Sequence, residues 1–114
     1  MTEIAPYWRN YIDGAWADGG AGRIAVTDPA TGAFLAEHAL ADAADVDRAV
    51  RAARRVHLSG ALTAMRPVER GRMVQAMGRY LHDHAAEMAA VLTAEQGKPL
   101  WEAQVEAEGA ARYF

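Results

Sequence analysis

The spacing of apolar residues divides the chain at about residue 41. In the first part, short β-prone runs alternate with Asp-Gly, Gly-rich and Asp-Pro segments, a pattern typical of strands joined by tight turns. In the second part, apolar residues recur every three or four positions, as they do along one face of a helix. The sequence therefore predicts β-hairpins over residues 1–40 and about four helices over residues 42–114. The predicted fold class is α/β, or α+β for this piece taken alone, within a single incomplete domain over residues 1–114.

Two hairpins are predicted in the N-terminal part. Within Asn10–Trp16, an Asp-Gly pair separates two β-prone runs, and this dipeptide tolerates the positive φ angles of a two-residue turn. A glycine-rich loop over residues 18–22 precedes a strand over residues 23–27. The segment Asp28-Pro29-Ala30-Thr31-Gly32 predicts the second turn, because Asp, Pro and Gly each suit their turn position. Residues 33–40 then resume an extended pattern.

The first helix has a recognisable start. Asp42 can cap it, and Asp45 three residues later completes an acidic near-match to a capping box. Apolar residues then fall on a single stripe at helical spacing: Val46, Ala49, Val50 and Ala53.

Three further helices are predicted. The second starts at Pro67, which suits the first helical position, and the third runs from about Ala85 to Gln96 before a left-handed cap at Gly97. The fourth begins at Pro99 and is still running at Phe114. The buried face of the second helix is expected to contain Met73, Val74, Met77 and Leu81, and that of the third Met88, Val91 and Leu92.

The hydrophobic fraction is 52%, but alanine supplies much of it. Because alanine buries little area per residue, we expect a thin core. Such a core depends on the larger side chains: Trp8, Trp16, Phe34, the methionines and the scattered Val, Ile and Leu.

Charge and composition exclude several classes of protein. The net charge is -3, which disfavours binding to a nucleic-acid backbone. The one basic cluster has helical spacing and is interpreted as a solvated face: Arg48, Arg51, Arg54 and Arg55. There is no cysteine, so the piece has neither a disulfide nor a thiol nucleophile. No signal peptide or membrane-spanning run is visible, and we expect a cytoplasmic protein with no membrane partner.

Candidate catalytic and ligand-binding residues favour structural interpretations. His82 and His84 are two apart on a helix and point in different directions, so they do not share a metal. His38 and His57 have no second ligand at suitable spacing. The remaining candidates are charged or glycine residues in loops and on helix surfaces: Gly19, Gly20, Gly22, Lys98, Glu102, Glu106 and Glu108. We predict no catalytic, cofactor-binding or metal residue among them.

Five motifs occur in a fixed order and spacing. Together they resemble the N-terminal quarter of the NAD(P)-dependent aldehyde dehydrogenase superfamily, and the resemblance covers the chain from about Asn10 to Phe114. The motifs are Asn10-Tyr11-Ile12-Asp13-Gly14-Ala15-Trp16, Asp28-Pro29-Ala30-Thr31-Gly32, Asp45-Val46-Asp47-Arg48-Ala49-Val50, Pro67-Val68-Glu69-Arg70 and Glu95-Gln96-Gly97-Lys98-Pro99-Leu100.

The resemblance implies an oxidoreductase that converts an aldehyde to a carboxylic acid with NAD or NADP. In that family a cysteine thiolate attacks the carbonyl, hydride passes to the nicotinamide, and water activated by a glutamate hydrolyses the thioester. It also implies a Rossmann-like cofactor domain, to which this segment contributes the leading hairpins and first helices, and a homo-oligomeric assembly. The family's catalytic and nucleotide-binding residues match positions beyond 114, so none is transferred to this sequence.

One secondary site is implied by some family members, which hold a monovalent cation. Here it would use Val26 or Thr27 with Glu106, but such a cation also needs oxygen ligands from segments this chain lacks.

Two departures from the family pattern stand out. Leu62 lies near the place usually taken by tryptophan, and Arg66 replaces the usual Ser or Thr N-cap.

We expect the chain to be a fragment that is inactive by itself and whose main partner is the remainder of a dehydrogenase polypeptide. Tyr113 and Phe114 at the terminus have nothing downstream to bury them. The alternative is a non-catalytic protein-interaction module, or the remnant of a degraded gene.

Overall fold

The computed structural model describes residues 4–114. Over this range, strands are followed by four helices, so the predicted fold class is confirmed. Of the predicted hairpin region, residues 1–3 lie outside the described residues. The elements are β1 (Tyr7–Trp8), β2 (Asn10–Ile12), β3 (Ala15–Ala17), β4 (Arg23–Thr27), β5 (Phe34–Ala39), α1 (Ala43–Leu58), α2 (Pro67–Asp83), α3 (Ala85–Gln96) and α4 (Leu100–Ala111).

The described residues form two compact units. The helical unit contains Ile4, residues 27–33 and residues 66–114, whereas the sheet unit contains residues 5–26 and 34–65. Helix α1 therefore groups with the strands, and α2, α3 and α4 group together. The expectation of a single domain over residues 1–114 stays a prediction.

In the sheet unit, the β2–β3 hairpin forms around the predicted Asp-Gly turn. The two strands are antiparallel, with Tyr11 opposite Trp16. Asp13 and Gly14 have φ angles of 55° and 80°, in the left-handed region that this dipeptide adopts at low cost. The rings of Tyr11 and Trp16 meet edge to face with their centroids 4.9 Å apart, a cross-strand contact that helps to fix the register.

The second sheet of this unit has β5 at its centre, between β1 and β4. The Ala21 N–H donates to the Leu40 carbonyl at 3.0 Å, and the Leu40 N–H donates to the Gly22 carbonyl at 2.9 Å, which ties the start of β4 to the end of β5. Strand β1 runs parallel to β5, with Tyr7 opposite Glu37. This parallel strand was not predicted, because two residues are too few to show a period.

In the helical unit, the predicted turn at Asp28 is well formed. The Gly32 N–H donates to the Asp28 carbonyl at 2.7 Å, and the Ala30 N–H donates to the Asp28 carboxylate at 2.8 Å. Gly32 has a φ of 71°, which explains why glycine follows the turn. The turn lies against the C-terminus of α3, since a Cβ atom at Gly97 would meet Pro29 Cγ at 2.8 Å.

The predicted large-residue core is wrong. Among the described residues, the buried hydrophobic positions are all alanines: Ala36, Ala39, Ala52, Ala85, Ala89, Ala103 and Ala107. Trp16 and Phe34 are 59% and 61% exposed, and Trp8 is also exposed. The apolar stripe of α1 likewise leaves Val46 and Val50 exposed. Periodicity groups side chains on a face of an element, but it does not supply a neighbour that covers them.

The predicted buried faces of α2 and α3 are corrected for the same reason. In α2, Val74 and Met77 are exposed, Met73 and Leu81 are half-buried, and Gly78 is the buried residue. In α3, Met88 is exposed, Val91 and Leu92 are half-buried, and the buried residues are Ala85 and Ala89. Four alanines of α3 and α4 form a cluster with Leu92 beside it: Ala85, Ala89, Ala103 and Ala107. Because alanine has a short side chain, it is the residue that lets two helices approach closely.

The predicted helix ends are correct at three places and wrong at one. Asp42 and Asp45 form the full capping box of α1, α2 starts at Pro67, and Gly97 caps α3 with a φ of 73°. Helix α4, however, ends at Ala111 and does not continue to Phe114. The N–H groups of Arg112 and Tyr113 donate to the carbonyls of Gly109 and Ala110, so the last turn tightens to three-residue spacing.

Candidate functional site

The glycine-rich loop at residues 19–22 lies against the N-terminus of α1 in the sheet unit. The Gly20 N–H donates to Asp45 Oδ2 at 2.7 Å, and the Asp42 N–H donates to the same oxygen at 3.1 Å. Asp45 is buried, and Arg48 Nη2 lies 2.7 Å from its other oxygen. Hydrogen bonds from Gly20 and Asp42 hold the pKa of Asp45 below its usual value. The helix N-terminus, a natural anion site, thus already holds the chain's own carboxylate.

Two glycines of this loop make close contacts, Gly19 with backbone and Gly20 with a side chain. A Cβ atom at Gly19 would lie 2.0 Å from the Leu40 carbonyl oxygen, and one at Gly20 would lie 2.2 Å from Asp42 Oδ2. The interpretation of these glycines as loop residues with no phosphate cradle stays a prediction. Sequence reasoning identified Asp45 as part of a capping box but missed its contact with Gly20, because the two residues lie 25 positions apart.

The four histidines are distributed over both units. His84 Nδ1 lies 2.8 Å from the Tyr80 carbonyl oxygen, and its ring stacks on that of Tyr80 with centroids 4.0 Å apart. His57 is in the last turn of α1, and His38 is exposed on β5. Within residues 4–114, no group of three or more His, Cys, Asp or Glu side chains is placed to hold a metal ion.

Lys98 and Glu106 form an ion pair in the helical unit. Lys98 Nζ lies 2.6 Å from Glu106 Oε2, and the lysine side chain is 20% exposed. Sequence reasoning placed Glu106 on a charged outer face and did not predict this partner, since the eight-residue separation crosses from the loop into α4. The carboxylate that the family resemblance associates with a monovalent cation is therefore engaged by an ammonium group.

A second polar cluster lies around Asp18 in the sheet unit. The Tyr7 hydroxyl donates to Asp18 Oδ1 at 2.7 Å, and Arg9 Nη2 donates to Asp18 Oδ2 at 3.2 Å. The hydrogen bond to Asp18 raises the pKa of Tyr7, and the same bond, followed by those from Arg9, lowers the pKa of Asp18. A phenol whose pKa is raised is a poor base or nucleophile at neutral pH. Three of the four arginines of α1 form ion pairs: Arg48 with Asp45, Arg51 with Asp47 and Arg55 with Asp13.

An open apolar cleft lies between the β2–β3 hairpin and α1, entirely within the sheet unit. Its volume is about 550 Å³, within the range of small-molecule pockets. The residues that line it include Tyr11 and Ile12 of β2, Ala52 and Val56 of α1, and Leu62 from the segment after α1. Tyr11, Val56 and Leu62 are all exposed, so the cleft presents large apolar groups to solvent.

The helical unit also exposes large apolar side chains. On α4, Trp101 and Val105 are 65% and 64% exposed, and they are one helical turn apart. Tyr113 is almost fully exposed, as predicted, and Phe114 is 49% exposed although its Cβ approaches Gly78. Within the part of the chain that the structure describes, no helix has the length and apolar character needed to cross a bilayer.

Comparison with known proteins identifies the relatives of this chain. The sequence profile of the aldehyde dehydrogenase family matches residues 16–114. The N-succinylglutamate 5-semialdehyde dehydrogenase of Chromobacterium violaceum is 43% identical over 96 residues, which cover 84% of this chain and 19% of that protein. The aminoacetaldehyde dehydrogenase of Pseudomonas aeruginosa is 39% identical over 97 residues, covering 84% of this chain and 20% of that protein.

Solved structures show the same relationship. The crystal structure of an NAD-dependent aldehyde dehydrogenase from Sinorhizobium meliloti matches with a TM-score of 0.89 at 28% identity, covering 96% of this chain and 22% of that one. The chain spans about a fifth of the length of the curated relatives it matches. The resemblance drawn from the five ordered motifs is therefore confirmed: this chain belongs to the aldehyde dehydrogenase family.

Proposed function

We propose that this chain is the N-terminal part of a dehydrogenase that oxidises an aldehyde to a carboxylic acid with NAD or NADP, and that it is inactive by itself. The observation that carries the proposal is the family match over residues 16–114 in a chain that contains no cysteine. The mechanism that the family resemblance implies uses a cysteine thiolate as the nucleophile, a residue that these 114 do not supply.

Two features of the described residues support assigning cofactor binding to other parts of the parent protein. A dinucleotide cradle requires a glycine-rich turn that leads from a strand into an open helix N-terminus. Here the glycines precede β4, and the N-terminus of α1 is closed by the carboxylate of Asp45. At the N-terminus of α2, Glu69 Oε2 accepts the Arg66 N–H at 3.2 Å. We therefore assign no step involving the nicotinamide to this chain.

The role that fits these residues is to supply packing surfaces to the rest of the cofactor domain. Trp101 and Val105 on α4 and Tyr11 in the cleft beside α1 are large apolar groups that are more than half exposed. Covering such groups is worth roughly 1.5–3 kcal/mol for each side chain that becomes fully buried. Under this proposal the partner is the remainder of the polypeptide, the assembled enzyme is a cytoplasmic homo-oligomer, and neither nucleic acid nor membrane is a partner.

The substrate class we propose is a semialdehyde or another small polar aldehyde. Relatives at 43% and 39% identity are named for N-succinylglutamate 5-semialdehyde and aminoacetaldehyde. The motif Glu95-Gln96-Gly97-Lys98-Pro99 likewise resembles that of semialdehyde or broad-specificity members of the family.

A second candidate is a non-catalytic module that binds another protein. The exposed pair Trp101 and Val105 favours it, because contiguous exposed apolar groups mark interaction sites. The coding sequence beyond Phe114 separates the two candidates. The dehydrogenase proposal expects it to continue into a segment of the Gly-Gln-Xaa-Cys type, whereas an immediate native stop codon favours the module or a degraded gene.

Calorimetric titration of the 114-residue chain with NAD+ and with NADP+ tests the inactivity part of the proposal. No heat of binding and no aldehyde-dependent NADH formation are expected. A saturable titration, or turnover with a semialdehyde, would overturn it.

A further inference from the structure

We propose that Lys98 is a shielded amine: it is the one side-chain amine of this chain with which an aldehyde can condense, and burial and the Glu106 carboxylate hold it out of that reaction. Because the reactant is an aldehyde, the inference rests on the proposed function and deepens it. Three features carry it: the rarity of lysine, the contact with Glu106 and the fixed ends of the loop that contains Lys98.

Lysine is nearly absent from the sequence. Of the 12 Lys and Arg residues, 11 are arginine, and Lys98 is the only lysine. This difference matters for a protein that handles aldehydes, because a neutral primary amine adds to the carbonyl carbon and then loses one water to give an imine. A guanidinium stays charged and offers no such amine. The arginines are therefore inert toward a simple aldehyde, and only Lys98 needs protection.

The contact with Glu106 occupies the Lys98 ammonium. Lys98 Nζ lies 2.6 Å from Glu106 Oε2, and the lysine side chain is only 20% exposed. Pro99 immediately precedes α4, and Glu106 lies two turns further on, about 10 Å along the helix axis. The ion pair can form only if both side chains extend toward each other along α4. To add to a carbonyl, the lysine nitrogen has to leave the carboxylate, lose a proton and turn its lone pair toward solvent.

The loop that contains Lys98 is fixed at both ends. Gly97 ends α3 with a φ of 73°, and its N–H donates to the Thr93 carbonyl at 2.9 Å. On the other side, the Pro99 carbonyl accepts two N–H groups from the first turn of α4. Lys98 is the single residue between these two anchors. Its amine therefore leaves Glu106 only by rotation of the lysine side chain itself.

Reductive alkylation of the 114-residue chain with propanal and cyanoborohydride measures the shielding. Mass spectrometry of the digested product compares Lys98 with the α-amino group of the same chain. We expect Lys98 to react about tenfold or more slowly in the folded chain than in the chain unfolded in urea, as the loss of a hydrogen bond between charged groups requires. Because the readout is an adduct mass, failure here leaves the dehydrogenase proposal standing, and the coding sequence beyond Phe114 tests that proposal separately.

Three variants assign the shielding to Glu106. Glu106→Gln removes the charge and keeps the size, so Lys98 should react about two- to fivefold faster, as expected for a partly exposed ion pair. Glu106→Ala also removes the acceptor and should be faster still. Glu102→Gln is the matched control, because it makes the same change of charge on the same helix, and its Lys98 should react as in the parent chain. Propanal is neutral, so the charge of a variant does not alter its approach, and circular dichroism shows whether each variant is folded.

Equal rates for Lys98 in the parent chain with and without urea would overturn the proposal, and this comparison needs no variant. Equal rates in the parent chain and both Glu106 variants would also overturn it. Protection that grows with protein concentration would do the same, since the shield would then be a second copy of the chain. Support requires protection in dilute parent chain that both Glu106 variants reduce and that Glu102→Gln retains.

Discussion

At the scale of single residues, Asp45 connects two parts of the sheet unit that are distant in sequence. Its carboxylate accepts N–H groups from Gly20 and from Asp42, so one buried side chain closes the first turn of α1 and holds the preceding loop. A carboxylate with several donors is stabilised in its charged form, which lowers its pKa.

Acid should weaken the sheet unit through Asp45. Its pKa is lower in the folded chain than the ordinary value of about 3.9 in the unfolded chain. Its contribution to the free energy of unfolding is therefore complete above the unfolded pKa and is lost as the pH falls through the folded pKa. Urea unfolding across this range should show a steeper loss of stability for the parent chain than for Asp45→Asn. Arg48→Gln keeps both N–H donors and should retain most of the parent slope, whereas parallel profiles for the parent and Asp45→Asn would contradict this account.

Gly19 and Gly71 should respond differently to substitution by alanine, because the space around an added Cβ atom differs between them. A Cβ atom at Gly19 would lie 2.0 Å from the Leu40 carbonyl oxygen, a backbone atom that cannot rotate away. Gly19→Ala should therefore lower the free energy of unfolding, by about 1–3 kcal/mol if the cost is that of ordinary overpacking. Gly71 lies inside α2 with nothing within 4 Å of an added Cβ, so Gly71→Ala should raise stability by about 0.5–1 kcal/mol. Denaturation midpoints of the two variants that move in the same direction would refute the distinction.

At the scale of elements, the local signals were predictable from sequence and the packing was not. The Asp-Gly hairpin, the Asp28 turn, the Asp42 capping box and the Gly97 cap depend on neighbouring residues, and the structure confirms all four. The buried faces depend on partners elsewhere in the chain. Helices α3 and α4 meet through alanines, and larger apolar residues of the same two helices, such as Met88 and Val105, remain exposed.

Contacts between distant segments were likewise not predictable at the candidate site. Sequence reasoning found the residues Gly20, Asp45, Lys98 and Glu106, but it could not pair them, because their hydrogen bonds join segments that carry no shared periodic signal. The cleft beside α1 was also missed. Only a structure shows that the hairpin, three alanines of the helix and Leu62 surround one space. The one available signal was Leu62 itself, at a position where the family resemblance suggests tryptophan.

A larger side chain at the alanine contact between α3 and α4 should lower the free energy of unfolding. Ala103 is fully buried and Ala86 is exposed on the neighbouring helix. Ala103→Leu inserts three carbon atoms into this contact and should cost about 1–3 kcal/mol of unfolding free energy. Ala86→Leu makes the same chemical change on the surface and should remain within about 0.5 kcal/mol of the parent. Thermal and urea denaturation of both variants measures the difference, and equal stabilities would mean that the helices do not meet through Ala103.

At the scale of the whole molecule, the core of each unit consists of small side chains, while large apolar ones remain in water. Alanine burial contributes little per residue, so few contacts oppose the conformational entropy of the chain. A molecule built in this way gains stability by covering its exposed apolar groups against another surface. In the proposed parent enzyme that surface is the rest of the polypeptide; in the 114-residue chain the available surface is a second copy.

The chain by itself should therefore be marginally stable and should self-associate as its concentration rises. Trp101 and Val105 are the exposed pair that the association is expected to use, so Trp101→Lys with Val105→Lys should shift the chain toward monomer in sedimentation velocity experiments. Glu102→Lys is the matched control, because Glu102 lies in the first turn of the same helix and the change alters the net charge by the same amount. If charge alone governed association, the control would behave like the double variant. If the parent chain melts sharply, reversibly and independently of concentration as a monomer, its exposed apolar groups do not need a partner, and the account of this chain as a packing segment fails.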